Sequence, residues 1–287
     1  MLVTGCSSGM GRAAARGLRA RGYRVLATAR REEDLAALEG EGLEALHLEL
    51  ADPASVEALA RQVLERAGES LHGIFHNAGY GQPGALEDLS REALRAQLEA
   101  NLLGAAQLTA LLLPTLRRRG AGRLVFNGSI LGRVALPYRG AYVVSKHALA
   151  ALAETLRLEL TGTGIHVSLI EPGPVATRFR EHALTAFLRE VDPERSPHRE
   201  TYRGVLARLR GEGPPVPGTV PPEAVLGPLL HALESPKPRA RYLLTGPARW
   251  LALAQRLLPR PALERLLLAV ARRENRAAPP PAAPPQR

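Results

Sequence analysis

The chain has 287 residues, 45% hydrophobic, 23% charged and 4% aromatic, a composition that fits a soluble globular protein and excludes a disordered chain, a collagen or a coiled coil. A single cysteine, Cys6, allows neither an intramolecular disulfide nor a Cys-rich zinc site, so a reducing, cytoplasmic setting is expected. Of the formal net charge of +10, residues 236–287 carry +9 and residues 1–235 only +1, so the body is neutral and the end basic.

The N-terminus, MLVTGCSSGMG, has no basic n-region and no long apolar run, and no stretch reaches the length of a membrane span, so neither a signal peptide nor a transmembrane segment is predicted. Strands rich in Val, Leu and Ile are predicted at residues 1–4, 23–28, 43–48, 72–76, 122–127 and 164–170. Amphipathic helical segments separate them, ending near turn signals such as Gly22, Gly42, Gly120 and Gly164. That alternation predicts an α/β fold, a Rossmann-type doubly wound parallel sheet with helices on both faces. Asp52-Pro53 reads as an N-cap followed by a first-turn proline, and Ser90 opens another helix.

Past residue 172 the alternation lapses. Residues 178–222, ending in GPPVPGTVPP, predict a helical lid inserted into a single catalytic domain of residues 1–246. Residues 247–274 form a basic amphipathic extension, and the Pro/Ala tail at 275–287 is predicted to be disordered.

The first strand runs into Thr4-Gly5-Cys6-Ser7-Ser8-Gly9-Met10-Gly11, TGxxxGxG, and then into a helical stretch. Glycines let the backbone turn tightly beside a pyrophosphate, and a helix N-terminus supplies free N–H groups and a positive dipole end. At the end of the second strand, where NAD-binding folds present a carboxylate to the ribose, stand Arg30 and Arg31. A guanidinium pairs a phosphate through two parallel hydrogen bonds, so this end predicts NADP(H) over NAD(H).

Tyr142-Val143-Val144-Ser145-Lys146 is a YxxxK on a predicted helix, where residues four apart share a face. Chance placement would give about 0.04 such matches in this composition. Lys146 would favour the ionised phenol, and Ser129, just past a strand, would hydrogen-bond a substrate oxygen as charge develops on it. Asn101, alone, reads as a satisfied buried amide.

Together these residues resemble the short-chain dehydrogenase/reductase family over residues 1 to about 245: TGCSSGMG at 4–11, HNAG at 76–79, Asn101, Ser129, YVVSK at 142–146 and EPGPVAT at 171–177 fall in the family's order. The resemblance implies a catalytic tetrad of Asn101, Ser129, Tyr142 and Lys146. Tyr142 would be the general acid/base, Ser129 would orient the carbonyl, Lys146 would also bind the nicotinamide ribose, and Asn101 would hold a relay water. It further implies cofactor contacts from Gly5, Ser7, Ser8, Gly9, Met10, Gly11, Glu49, Leu50, Asn77, Ala78, Gly79, Pro172, Gly173, Val175 and Thr177. The sequence departs from the family at His76, at Glu49 in place of the usual Asp, and in the short first strand, from which a late assigned start is expected. The phrases HVSLIEPGPVAT and TARREEDL are most similar to 17β-hydroxysteroid and retinol dehydrogenases, implying an apolar carbonyl or alcohol substrate and a homodimer or homotetramer.

A non-catalytic NADP(H)-binding regulator is the alternative, and it would need the glycine loop but not the tetrad. Nucleic-acid binding is not expected, since the basic end lacks a reading motif or interleaved aromatics. In the extension, Leu263, Leu266, Leu267 and Val270 make one apolar face beside Arg265 and Arg272. That face predicts either peripheral contact with an anionic membrane or packing against the body or a second subunit.

Overall fold

A computed structural model describes residues 1–212 and 216–275; residues 276–287 of the expected tail and residues 213–215 of the expected lid lie outside the described residues. Seven strands form one parallel sheet: β1 (Leu2–Val3), β2 (Leu26–Ala29), β3 (Glu44–His47), β4 (Gly73–His76), β5 (Gly122–Asn127), β6 (Ile165–Glu171) and β7 (Arg241–Leu243), in the order β3-β2-β1-β4-β5-β6-β7. Between them run α1 (Gly9–Ala20), α2 (Glu32–Gly40), α3 (Pro53–Ala67), α4 (Arg91–Leu98), α5 (Gly104–Arg119), α6 (Gly140–Glu159), α7 (Phe179–Glu190), α8 (Arg199–Arg210) and α9 (Leu226–Glu234). After β7 come α10 (Gly246–Leu257) and α11 (Arg260–Glu274).

Side chains alternate across each strand, which sorts the core into two layers. Leu2, Leu26, Ile74, Leu124 and Leu169 pack on α3, α5 and α6, while Val3, Ala27, Phe75, Val125 and Ile170 pack on α1, α2 and α9. Covered on both faces, the strands read as apolar runs. Asp52 caps α3 by accepting from the Ala54 N–H at 3.0 Å, and Ser90 caps α4 by accepting from Ala93 at 3.0 Å. The strand order reverses between β1 and β4, which opens a crevice at the carboxyl ends of the strands.

The structure departs from the sequence expectation most at the start of β2 and in a seventh strand, β7, that the sequence does not predict. β2 begins at Leu26 because Gly22, at φ 93°, still turns the chain. β7 is too short to show periodicity, and an ion-pair network helps hold it: Glu171, fully buried, accepts from Arg133 at 2.7 Å and from Arg241 at 3.0 Å.

The insertion is helical. Phe187 of α7 and Tyr202 of α8 are fully buried against each other; the Tyr202 hydroxyl accepts from the Ala85 N–H at 2.9 Å and donates to Asp88. The chain then returns beside the strand-β6 exit, where the Ala176 N–H donates to the Val220 carbonyl at 2.9 Å.

Of the two fates expected for the apolar face of the extension, membrane contact or packing, the structure shows packing. Leu263 and Leu267 of α11 are buried with Ile130, Leu131, Val134 and Leu136, and Leu266 and Val270 pack on the same cluster. The hydrophobic gain of that contact is met within the chain, so packing against the body replaces the membrane reading of these four residues. No helix among the described residues is long and apolar enough to cross a membrane.

Candidate active site

At one end of the crevice, β1 stops and the chain turns under the N-terminus of α1. Thr4 is buried and its hydroxyl accepts the N–H groups of Asn77 and Ala78 at 2.9 and 3.0 Å, tying the loop after β4 to the turn. The Asn77 amide donates to the carbonyls of Thr4 and Gly5 and accepts from Asn127 at 2.9 Å, so its side chain braces the loop while the residue lines the cavity. Two glycines are forced by geometry. Gly5 sits at φ 71°, and a Cβ on Gly11 would lie 2.0 Å from the Gly5 carbonyl and 2.4 Å from Asn77 Nδ2. The first turn of α1 carries no acidic residue and Ser8 gives it no side-chain cap, so its positive end is left uncompensated. This cradle suits a pyrophosphate.

Gly5, Ser7, Ser8, Gly9, Met10, Arg30, Arg31, Glu49 and Leu50 line one cavity with Asn77, Ala78 and Gly79; Gly11 stands behind the turn and shapes it. Arg30 is exposed and reaches Glu49 at 3.3 Å. Arg31 is engaged by Glu33 at 2.7 Å and Asp34 at 2.8 Å. Asp34, which sequence reasoning passed over, thus stands on the cavity wall as the partner that restrains the second arginine.

Ser129, Tyr142 and Lys146 line the middle of the same cavity, with Pro172, Gly173, Val175 and Thr177. α6 presents Tyr142 and Lys146 on one face, as the four-residue spacing requires. Ser129 N-caps the short turn after β5 by accepting from the Leu131 N–H at 3.1 Å, which fixes its hydroxyl near the phenol. The Lys146 ammonium donates to the Asn127 carbonyl at 2.8 Å and lies 5.7 Å from the centre of the Tyr142 ring.

The electrostatics correct one expectation. Burial pushes the Tyr142 phenol up to about 12, with the Ser129 hydrogen bond and the Arg139 charge acting the other way. Burial also pulls Lys146 down to about 8. Desolvation therefore outweighs the lowering anticipated from Lys146, because the ammonium is turned to a backbone carbonyl.

Asn101 lies in a π-turn (Glu99–Leu103) between α4 and α5. Both its amide hydrogens are spent, on the Tyr80 carbonyl at 2.9 Å and Ser145 Oγ at 3.0 Å, and its oxygen accepts from the Tyr80 N–H at 3.0 Å. The side chain joins the loop after β4 to α6, as a satisfied buried amide does.

The cavity, about 1040 Å³, continues past Tyr142. Its wall there comes from α7, α8, α10 and α11, including Phe179, whose ring centre is 5.4 Å from that of Tyr142, and Leu209, Leu251 and Val270. The same wall carries Arg139, Arg180, Arg208, Arg273 and Glu274. Sequence reasoning singled out none of these as site residues, although the expected lid at 178–222 spans Phe179, Arg180, Arg208 and Leu209 and the apolar face of the extension includes Val270; the spacing of Arg139 three residues before Tyr142 was a further signal.

A family model for short chain dehydrogenase matches residues 1–186. An uncharacterized oxidoreductase, YbbO, from Escherichia coli strain K12 is 38% identical over 267 residues, 93% of this chain and 93% of that protein. The 17-beta-hydroxysteroid dehydrogenase type 1 of Homo sapiens is 34% identical over 275 residues, covering 91% of this chain and 81% of that one. Among solved structures, an actinorhodin polyketide ketoreductase with NADPH superposes with a TM-score of 0.67 at 30% identity, over 84% of this chain and 93% of that one.

Proposed function

The chain belongs to the short-chain dehydrogenase family, and from that premise we propose that it is an NADP(H)-dependent oxidoreductase acting on the carbonyl or secondary alcohol of a largely apolar, steroid-, retinoid- or lipid-like substrate. The observation that carries the reading is the continuity of one cavity from the glycine cradle, past Ser129, Tyr142 and Lys146, to an apolar wall. The nicotinamide supplies or accepts the hydride when bound. The cradle formed by Gly5, Gly9 and the first turn of α1 would hold its pyrophosphate, and Arg30 the 2′-phosphate.

In the reducing direction, the Tyr142 hydroxyl donates a hydrogen bond to the substrate oxygen and passes its proton as negative charge builds there. Ser129 donates a second hydrogen bond to that oxygen and holds the carbonyl plane. Lys146, held down to about 8 by burial and anchored on the Asn127 carbonyl, lines the cavity beside Tyr142, where it would bind the nicotinamide ribose, and the Ser129 hydrogen bond and the Arg139 charge favour the phenolate that remains. Phe179 packs edge-on to the Tyr142 ring, and Leu251 of α10 and Val270 of α11 give the cavity an apolar wall. Asn101 keeps the loop bearing Gly79 in register with α6.

Assembly belongs to the same proposal. Leu111 on α5 and Val144 and Leu158 on α6 are exposed apolar residues on the two long helices, a surface suited to a homodimer or homotetramer.

Titration of the purified protein with NADPH and NADH, followed by nicotinamide absorbance against a panel of apolar aldehydes, ketones and alcohols, tests the reading. Tighter NADPH binding with oxidation by a panel member is the expected result. Binding without turnover on any member would favour the regulator.

A further inference from the structure

The arginines beyond Tyr142 are not explained by an apolar substrate. Arg139 stands one turn before Tyr142 on the same face of α6, near enough for its charge to bear on the phenol. The backbone fixes its position: Tyr138, just before it, is the sole non-glycine residue at positive φ (63°) among the described residues, and its carbonyl accepts from the Gly84 N–H at 3.0 Å. Glu274, at the end of α11, pairs with Arg139.

Arg208 and Arg180 have no such partner among the described residues. Of the other arginines that line the cavity, Arg30 pairs with Glu49, Arg31 with Asp34, Arg178 with Glu181 and Arg189 with Glu190, while Arg273, exposed near the end of α11, forms no ion pair among the described residues but stays in contact with solvent. Among the described residues, no carboxylate forms an ion pair with Arg208 or Arg180. Among the described residues, Arg208 has one anchor, from Nε to Asn275 Oδ1 at 3.1 Å, and no partner there for the outer edge of its guanidinium. Burial pulls Arg208 down to about 9, and the charges of Arg139 and Arg180 act in the same direction against Glu274. A desolvated cation beside two like charges is costly to keep unless an anion completes the site. Leu136, Leu209 and Val270 line the same cavity as the arginines and Tyr142.

We propose that Arg208 and Arg180 seat an anionic oxygen group of the substrate, a carboxylate or phosphate monoester, at the far end of an apolar body whose carbonyl reacts at Tyr142 and Ser129. This deepens the reductase reading and rests on it for the reacting end only. The redox step is unchanged: the carbonyl carbon gains a hydride from the nicotinamide and its oxygen a proton, giving the alcohol and the oxidised cofactor. A guanidinium fork matches two charge-sharing acceptor oxygens on one centre, which a neutral alcohol or ester end cannot supply.

Two measurements separate the anion site from the reaction. The first is equilibrium binding of dodecanoate, dodecyl phosphate and dodecanol to the NADPH-loaded protein, read by the fluorescence of Trp250, the chain's one tryptophan, which lines the cavity. At least one of the two anions should bind about tenfold or more tighter than the alcohol. Whether carboxylate or phosphate gains more identifies the anion. Arg208→Gln should remove the preference and Arg208→Lys restore part of it, with NADPH affinity reporting that each variant is folded; Arg180→Gln is the second variant, expected to weaken the preference. Equal binding of dodecanol and both anions overturns the proposal, as does a preference untouched by both glutamine substitutions.

The second is the kcat/KM ratio of ω-oxo carboxylates to their methyl esters, at graded chain length. A ratio above about ten that collapses toward one in Arg208→Gln supports the anion site, and a ratio near one in the native protein overturns it for carboxylates. If no carbonyl compound is turned over while an anion still binds through Arg208, the reductase reading falls and the anion site stands.

Discussion

The cofactor end of the cavity is built by backbone: the exit of β1, the first turn of α1 and the loop after β4, held together by Thr4 and Asn77 and limited by glycines that no side chain could replace. The substrate end is built by side chains brought from far apart, such as Arg139 and Glu274, which meet across 135 positions. On the proposed function, short local geometry would carry the cofactor, while selectivity would sit on α7, α8 and α11, whose side chains line the wall away from the sheet.

The largest expected effect comes from the residue where the two ends meet. Tyr142→Phe removes the proton donor and leaves the ring, so turnover should fall by about 10²- to 10⁴-fold or more while NADPH affinity holds. Absorbance assays and an equilibrium titration read the two separately. A parallel loss of NADPH binding would break the separation of the ends.

Gly11→Ala attacks the cofactor end alone. The added Cβ would stand 2.0 Å from a backbone carbonyl, and relief must come from the turn itself; strain of about 1–3 kcal/mol corresponds to roughly a tenfold to hundredfold weakening of NADPH. Dodecanoate binding at Trp250 should persist. Arg30→Ala is smaller, because this guanidinium is exposed and screened. NADPH should weaken by about tenfold at low salt and NADH hardly at all, a gap that narrows as salt is added. If NADH weakens equally, Arg30 supports the loop and does not read the phosphate.

This division also accounts for what the sequence disclosed. Six strands, the caps at Asp52 and Ser90, the glycine turn and the Tyr142/Lys146 spacing are local patterns, each set within a few residues. β7 is three residues long and shares its ion-pair network with β6 through Arg241, so no periodicity marks it. Arg208 reads in the chain as one more arginine on an amphipathic helix. Its isolation exists only after α8 packs near α11 and the carboxylates nearby take other partners. The α11 face illustrates the same limit: an apolar stripe tells that something covers it, and only the fold tells that the cover is Ile130, Leu131 and Leu136.

The smallest effect belongs to a residue of neither end, and it measures the frame that both share. His76 ends β4 directly before Asn77, buried behind the cavity wall with its ring stacked on Phe126 at 4.6 Å. The Thr109 hydroxyl donates to the Ala105 carbonyl at 2.8 Å, so it accepts from His76 Nε2 at 3.0 Å, and Nδ1 faces no partner. Burial holds this imidazole down to about 3. Below the ordinary value of 6.5 the unfolded chain takes up a proton that the folded chain refuses. The contribution to stability is therefore complete above 6.5, falls by about 1.4 kcal/mol for each pH unit below it, and is gone near 3. His76→Asn removes the titrating group and keeps a polar side chain. Denaturant titrations should show the native protein losing about 1 kcal/mol more than the variant between roughly pH 7 and 5.5, with the NADPH-over-NADH and acid-over-ester preferences unchanged. Parallel pH curves for the two proteins would mean that His76 is protonated in the folded state, and that the frame beneath Asn77 admits water.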